Sequence, residues 1–196
     1  MPKPSPIAVD DLSSFPMRES DVAVRKARLS DAIHIFELVN SLASDGTLIR
    51  RSYSEICENV RDFTIAESEC GAFLGCGALH LYGPHLAEVR SIVVKPEAKG
   101  QGAGGKILRG LLDEAEMQGV TCVCLFTRIP EFFSRYDFRV VERDALPDKI
   151  YKDCLTCPRL YACDEIAMAR GPVPKIAVLG PNRVAHTELI QIQEKP

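Results

Sequence analysis

The stretch Glu88-Val89-Arg90-Ser91-Ile92-Val93-Val94-Lys95-Pro96, followed by Lys99-Gly100-Gln101-Gly102-Ala103-Gly104, limits the fold more than any other part of the chain. It reads as a buried β-strand, a turn, and a glycine-rich loop opening into an amphipathic helix. Such a junction aims consecutive backbone N–H groups, and the positive end of a helix dipole, at one spot. A pyrophosphate suits that spot. Glycine keeps side chains from holding the phosphate away from the amides, and it tolerates positive φ. A plain strand-to-helix turn fits the same residues.

Two common phosphate motifs do not fit. The dinucleotide fingerprint needs an acidic residue after the next strand, and none directly follows Thr121–Phe126. The P-loop needs Gly-Lys followed by Ser or Thr, whereas Gly105-Lys106 is followed by Ile107.

A chain of 196 residues, 46% of them hydrophobic, can form one good core, so one domain with tails is expected. We place a flexible segment at 1–20, the domain at 21–170 and an extension at 171–196. A net charge of −3 argues against nucleic acid or an anionic membrane as the main partner. Met1–Ser20 carries Pro2, Pro4, Pro6 and Pro16 and no long apolar core, which fits neither a signal peptide nor a membrane span. A cytoplasmic protein is expected, its eight cysteines serving as thiols or metal ligands rather than disulfides.

The elements alternate along the chain. Val22–Ala27 is a short strand. Ser30 is the expected cap of a helix to about Ala43, with Ile35, Leu38, Val39 and Leu42 on one face and His34 in a surface or core-edge place. Ser52 or Ser54 caps a second helix bearing Ile56 and Val60. Strands follow at Phe63–Ser68, Ala72–Tyr82 and Ala87–Val94. Lys106–Gln118 is a helix with Ile107, Leu108, Leu111, Leu112 and Ala115 on one stripe, ended by Gly119. Val120–Phe126 is apolar enough for a central strand. A short helix at Pro130–Tyr136 and strands near Phe138–Glu142 and Glu165–Arg170 complete the order.

The loop is similar to the coenzyme A loop of the GNAT superfamily of N-acetyltransferases. Lys99 stands where that family has Arg or Gln, and Gly102 and Gly104 fall at the expected offsets. The order β-α-α-β-β-β-α-β-α-β-β is also that of the family, so the resemblance covers residues 22 to 170. It implies an α/β GNAT fold: a mixed central β-sheet with a splayed strand pair, flanked by helices. It further implies that acetyl-CoA, the only cofactor needed, lies along Ile92, Val93 and Val94. Its pyrophosphate would meet Lys99, Gly100, Gln101, Gly102, Ala103, Gly104 and Gly105. A backbone N–H of the strand would polarise the acetyl carbonyl.

Three separated pieces carry a narrower likeness: Leu48-Ile49-Arg50-Arg51, then Ala87–Pro96, then Pro130-Glu131-Phe132-Phe133 with Phe138, Leu146-Pro147-Asp148-Lys149 and Lys152-Asp153. Together they resemble the acetyltransferase domain of bacterial N-acetylglutamate synthases, especially the short form without an amino-acid kinase domain. That likeness implies acetyl transfer to the α-amine of L-glutamate, the step that opens arginine biosynthesis. Glutamate brings two carboxylates and one amine. The resemblance assigns its side-chain carboxylate to Arg50, whose fork can bind both oxygens. It assigns the α-carboxylate to the main-chain N–H groups of Leu48 and Ser91, and a second cation to Lys152, with Lys149 next. Glu88 matches the proposed general base, which would serve directly or through a relay water. A strand-end carboxylate in an ion pair, and a solvated Arg50-Arg51 turn, are the plainer alternatives.

Many acetyltransferases carry a tyrosine acid where this chain has Phe133, which has no proton to give; Tyr136 and Thr127 are nearby donors. Asp137 replaces a usual glycine, which Asp tolerates in a left-handed conformation. The run Cys154-x-x-Cys157 to Cys163 offers three zinc ligands, with Asp164, His80 or His85 as the fourth; unpaired thiols in a closing loop, or a redox pair, are the alternatives. Cys57, Cys70, Cys76, Cys122 and Cys124 read as small core hydrophobes. Gly171-Pro172-Val173-Pro174 is a stiff linker, and Ile176–Leu179 is an edge strand, a contact with a second copy, or part of a loose tail. Other functions stay open: an acetyltransferase for another amino acid, a polyamine or a protein amine, or a non-catalytic acyl-CoA sensor.

Overall fold

A computed structural model of the protein describes residues 22–43, 49–157 and 159–174. The strands are β1 (Val22–Lys26), β2 (Phe63–Ser68), β3 (Phe73–Gly83), β4 (Leu86–Val94), β5 (Val123–Thr127), β6 (Arg139–Val140) and β7 (Ile166–Arg170). The helices are α1 (Ala32–Ala43), α2 (Tyr53–Glu58), α3 (Ala103–Met117), α4 (Pro130–Ser134) and α5 (Pro147–Lys152). Among the described residues all seven strands join one sheet in the order β1-β2-β3-β4-β5-β7-β6. Only β4 and β5 run parallel; every other pair is antiparallel. The crossover between them is α3, as a parallel connection requires. The expected mixed sheet flanked by helices is what the chain forms.

Both faces of the sheet are covered. On one, the stripe Ile107, Leu108, Leu111, Leu112 and Ala115 of α3 packs on Leu79, Val89, Val123 and Leu125. On the other, Ile35 and Val39 of α1 and Ile56 of α2 pack on Phe63, Ile65, Cys76 and Val93. A third cluster joins Tyr82, Leu86 and Cys124 to Leu146, just before α5.

Several boundaries shift for local reasons. Helix α1 is entered not by a Ser30 cap but by a 3-10 turn in which Asp31 accepts a hydrogen bond from Arg28 N at 2.7 Å. Arg25 pairs with the same carboxylate at 2.8 Å, so a cross-element ion pair took the place that a serine hydroxyl could have filled. Ser52 does cap α2, accepting from Glu55 N. Helix α3 starts three residues ahead of Lys106 because Gly102, at φ 82°, turns the chain straight into it. Strand β5 starts at Val123, since Val120 N and Thr121 N are taken by Ala115 O and Pro84 O. Cys76, Cys122 and Cys124 are buried and Cys57, half-buried, packs against the α1–α2 side of the core, but Cys70 is exposed on the β2–β3 turn and is not a core hydrophobe. Segment 1–20 and residues Ile176–Leu179 lie outside the described residues. Among the described residues no helix is long and apolar enough to cross a membrane.

One irregularity sets the course of β4. Between the β3–β4 pairs Cys76–Val93 and Ala78–Arg90, Gly77 faces both Ser91 and Ile92. This bulge bends β4 and reverses its alternation. Before it, Ala87 N donates toward β5, to Cys122 O; after it, Lys95 N donates toward β3, to Leu74 O. Odd-numbered amides therefore swap sides, and Val94 N–H faces away from β3. Gly77 makes room for the bend: a methyl there would stand 2.8 Å from Ile107 Cγ2 and 2.9 Å from Ile92 Cγ1. Gly77→Ala is expected to lower stability in urea denaturation by about 1–3 kcal/mol, the usual loss on overpacking a core. It should also raise the KM for the donor by displacing Ile92.

Candidate active site

Strands β4 and β5 pair only at Ala87–Val123 and Glu88–Cys124. Beyond that point they part, which is the splay expected of this strand pair. The opening is a cleft of about 750 Å³, a size that suits a small-molecule site. Its walls are Val89–Val94 of β4 and Leu125–Thr127 of β5, with Phe132, Phe133 and Tyr136 behind and the start of α3 at one end. The Val94 N–H, freed from β3 by the bulge, belongs to this wall.

The α3 end is built for an anion. Gly100 and Gly102 both take left-handed φ, near 80°. The first helical bond runs from Lys106 N to Gly102 O at 3.0 Å, leaving the N–H groups of Ala103, Gly104 and Gly105 without an intrahelical acceptor. Ile92, Val93, Val94, Lys99, Gly100, Gly102, Ala103, Gly104 and Gly105 all border the cleft. Gln101 turns away instead, its amide nitrogen bonded to Glu97 O at 2.7 Å. Gly105 has a packing reason as well: a Cβ there would run into the Tyr136 hydroxyl. Four cations that sequence reasoning missed also border the cleft: Arg90, Arg128, Arg109 against the Tyr136 ring and Arg135 against the Phe132 ring. Isolated arginines, one each on β4 and α3 and one each just past β5 and α4, gave no pattern to find them by.

Glu88 sits where the strands part, 2% exposed. Both its oxygens are engaged. Lys149 Nζ of α5 lies 2.6 Å from Oε1, and the Tyr82 hydroxyl donates to Oε2 at 2.9 Å. Lys149 also pairs with Asp153 at 2.8 Å. Burial pulls the Lys149 ammonium down, but the charges of Glu88 and Asp153 outweigh it and leave it raised above the ordinary lysine value. For Asp153 burial pushes up and Lys149 pulls down harder, aided by Arg90 and Arg51, so its carboxyl falls below 3.8. Burial, then the neighbouring Glu88 charge, drives the Tyr82 phenol well above its usual value, so it stays a donor. Arg90, two residues on from Glu88, extends the row: it lies 3.8 Å from Asp153, 3.9 Å from Asp62 and 3.2 Å from His80 Nδ1. Helix α5 is fixed at its other end by His85, 3.0 Å from the fully buried Asp148.

The other expected acceptor residues are more scattered. Ser91, at φ 53° in the bulge, lines the cleft. Arg50 is exposed, while Arg51 is half-buried, pairs with Glu55, and exchanges backbone hydrogen bonds with the Asn40 side chain of α1. Leu48 lies outside the described residues. Lys152 is exposed; it is Lys149, one turn earlier in α5, that the fold brings to Glu88. Phe133 is buried in the back wall, and Asp137 takes the left-handed φ of 65°. Thr127 and Tyr136 both border the cleft. The zinc reading of Cys154, Cys157 and Cys163 gains no support. Among the described residues, no three His, Cys, Asp or Glu side chains converge to hold an ion. Arg143 instead donates to Cys163 Sγ at 3.0 Å.

The acetyltransferase (GNAT) domain family matches residues 59–140. An uncharacterized N-acetyltransferase of Chlorobaculum tepidum is 38% identical over 158 residues, 79% of this chain and 99% of that protein. The chain belongs to the GNAT family of N-acetyltransferases. An amino-acid acetyltransferase of Mycobacterium tuberculosis is 32% identical over 69% of this chain and 79% of its own length. The structure of N-acetylglutamate synthase from Neisseria gonorrhoeae, complexed with coenzyme A and N-acetyl-glutamate, superimposes with a TM-score of 0.68 at 26% identity. That match covers 76% of this chain and 35% of the Neisseria protein. This GNAT protein is accordingly an acetyltransferase with acetyl-CoA as co-substrate.

In this GNAT enzyme the buried pair gives a stability prediction. Glu88→Gln should destabilise by about 1–3 kcal/mol, because it takes one of two carboxylate partners from the buried Lys149 ammonium, whereas Lys149→Met, which leaves both Glu88 and Asp153 without that partner, should cost about 3–5 kcal/mol. Denaturant midpoints of the three proteins check it. The pH dependence is set by the shifts. Asp153, held low when folded, stabilises above its ordinary value, and that part is lost as pH falls through its lowered one. Lys149, held high, stabilises fully below its ordinary value of 10.5, and its part is lost only at more alkaline pH. A stability profile flat from neutral pH to about 9 and falling in acid is the expected result.

Proposed function

We propose that the enzyme transfers the acetyl group of acetyl-CoA to the α-amine of L-glutamate. One observation carries the reading beyond the names of its relatives. The face of β4 opposite α3 gathers cations around Glu88: Lys149 and Arg90 from within, and Arg51 close enough to act on Asp153. Lys149 and Arg90 already have carboxylate partners. Arg50, next to Arg51 in the chain, is exposed, and in this reading it meets a carboxylate brought by the acceptor. The Asn40 bonds that hold Arg51 fix the backbone beside it.

In this reading the donor lies along β4 with its pyrophosphate at the first turn of α3. Val94 N–H polarises the thioester carbonyl. The amine attacks directly, in a ternary complex. Among the described residues no cysteine lines the cleft to form an acyl-enzyme. Buried at 2% exposure behind the cleft wall, Glu88 takes the ammonium proton through a relay water rather than by contact. Phe133 supplies no proton, so the thiolate leaves as such or takes one from water. Ser91 N–H receives the α-carboxylate.

The test is coenzyme A release with L-glutamate beside a panel of other amines. Arg50→Ala should raise the glutamate KM by roughly tenfold to a hundredfold, matching about 1.5–3 kcal/mol for a charge-assisted hydrogen bond, with the acetyl-CoA KM unchanged. Equal or better turnover of another amine would sink the glutamate assignment while keeping the chemistry. Tight acetyl-CoA binding without turnover of any amine would turn the reading toward a sensor. Glu88→Gln should lower kcat/KM by about 10²–10⁴. A loss of the same size in Lys149→Met, which leaves the Glu88 carboxylate in place, would assign Glu88 to holding Lys149 instead.

A further inference from the structure

The run from Cys154 to Glu165 has no part in the transfer described above. Its two outer sulfurs meet one guanidinium. Arg143 donates to Cys163 Sγ at 3.0 Å and also reaches the Cys154 thiol. Cys163 is half-buried and open to a small reagent; Cys154 is buried. Burial raises the Cys154 thiol, against the opposite pull of Lys149 and Arg143. Among the described residues of this run, regular structure is limited to the short 3-10 turns Cys154–Thr156 and Leu160–Ala162.

We propose that Cys154 and Cys163 form a reversible oxidation site, closed by small-molecule disulfides, that adjusts the acceptor side of the cleft. Closure takes two displacements. Cys163, having given up its proton, attacks one sulfur of the small disulfide; a mixed disulfide forms, and the released thiolate takes that proton. Cys154 then attacks the Cys163 sulfur, the mixed bond breaks, and the second small thiolate leaves with the Cys154 proton. Two protein thiols are oxidised, and one disulfide is reduced to two thiols. The N–H groups of Arg143 stand beside both protein sulfurs, where negative charge appears in each step.

The position gives the bond its effect. Cys154 follows Asp153, which holds Lys149; Cys163 precedes Asp164 and Glu165, which hold Arg128 at 2.8 and 3.9 Å. Arg128 and Glu165 border the cleft, and Arg143 lies over Phe126 of its wall, 4.8 Å from the ring centre. A disulfide draws its two Cβ atoms to about 3.5–4.5 Å. That takes both sulfurs from Arg143 as charge partners and pulls on Asp153 from its own chain neighbour.

The full chain is incubated with oxidised glutathione, mapped by mass spectrometry without reduction, and assayed with whichever amine it turns over. The expected product is a Cys154–Cys163 bridge, two hydrogens lighter. With it should come a several-fold rise in acceptor KM at unchanged acetyl-CoA KM, reversed by dithiothreitol and absent in C154S and C163S. Glutathione left on Cys163 without closure, a bridge through Cys157, or closure without a change in KM would each overturn the proposal. The bridge is mapped without reference to the acceptor, so failure of the glutamate assignment leaves this test standing.

Discussion

The parting of β4 from β5 just past Glu88 is the constraint on which the rest depends. Two parallel strands that stayed paired would satisfy each other's amides and leave no cleft. Here β4 stays paired with β3 on its other side, through Val94, beyond the point where it leaves β5. The bulge opposite Gly77 then reverses which amides face that edge. An unpaired strand edge is usually a liability, open to pairing with foreign strands. Lined by Phe132, Phe133 and Tyr136 and closed by the start of α3, it becomes a place for an extended ligand with amide groups of its own.

The charges around Glu88 obey a different logic. A buried ion pair adds little net stability, because desolvation offsets most of the attraction. Its value lies in position. Lys149 is tied to Glu88 and Asp153, Asp153 to Arg90, and Arg90 to Asp62 and His80. This row crosses from α5 through β4 to the end of the α2 region, so elements far apart in the chain are set relative to one another by fixed charges. The site is thereby preorganised for groups that carry charge during the reaction.

How legible these parts are in the sequence depends on how local they are. The donor end is readable because glycine conformation, helix periodicity and strand composition are local properties, and the loop from Lys99 to Gly105 uses all three. Even there Gln101 faces elsewhere, and Gly105 answers partly to Tyr136, which no spacing rule could show. The acceptor end is harder. Glu88 stands out in its strand, but its partner Lys149 lies in a helix of six residues with no periodic stripe, and the phase of that helix is set by the His85–Asp148 contact. Lys149 and Lys152, the expected cation, share that one short helix, and only the packing of α5 separates them. The Asp31 cap escapes a sequence reading for the same reason: its strength comes from Arg25, in another element.

Strand β4 presents different residues to its two faces. Val89, Ile92 and Val94 pack toward α3, while Glu88 and Arg90 look the other way, toward α5 and the ion-pair row. Mutations on one face can therefore accumulate with little effect on the other. A lineage could keep its donor chemistry intact while exchanging α5 and the α1–α2 connection for versions that welcome a different amine. One inherited strand would then serve many descendants, each distinguished by what is grafted onto its second face.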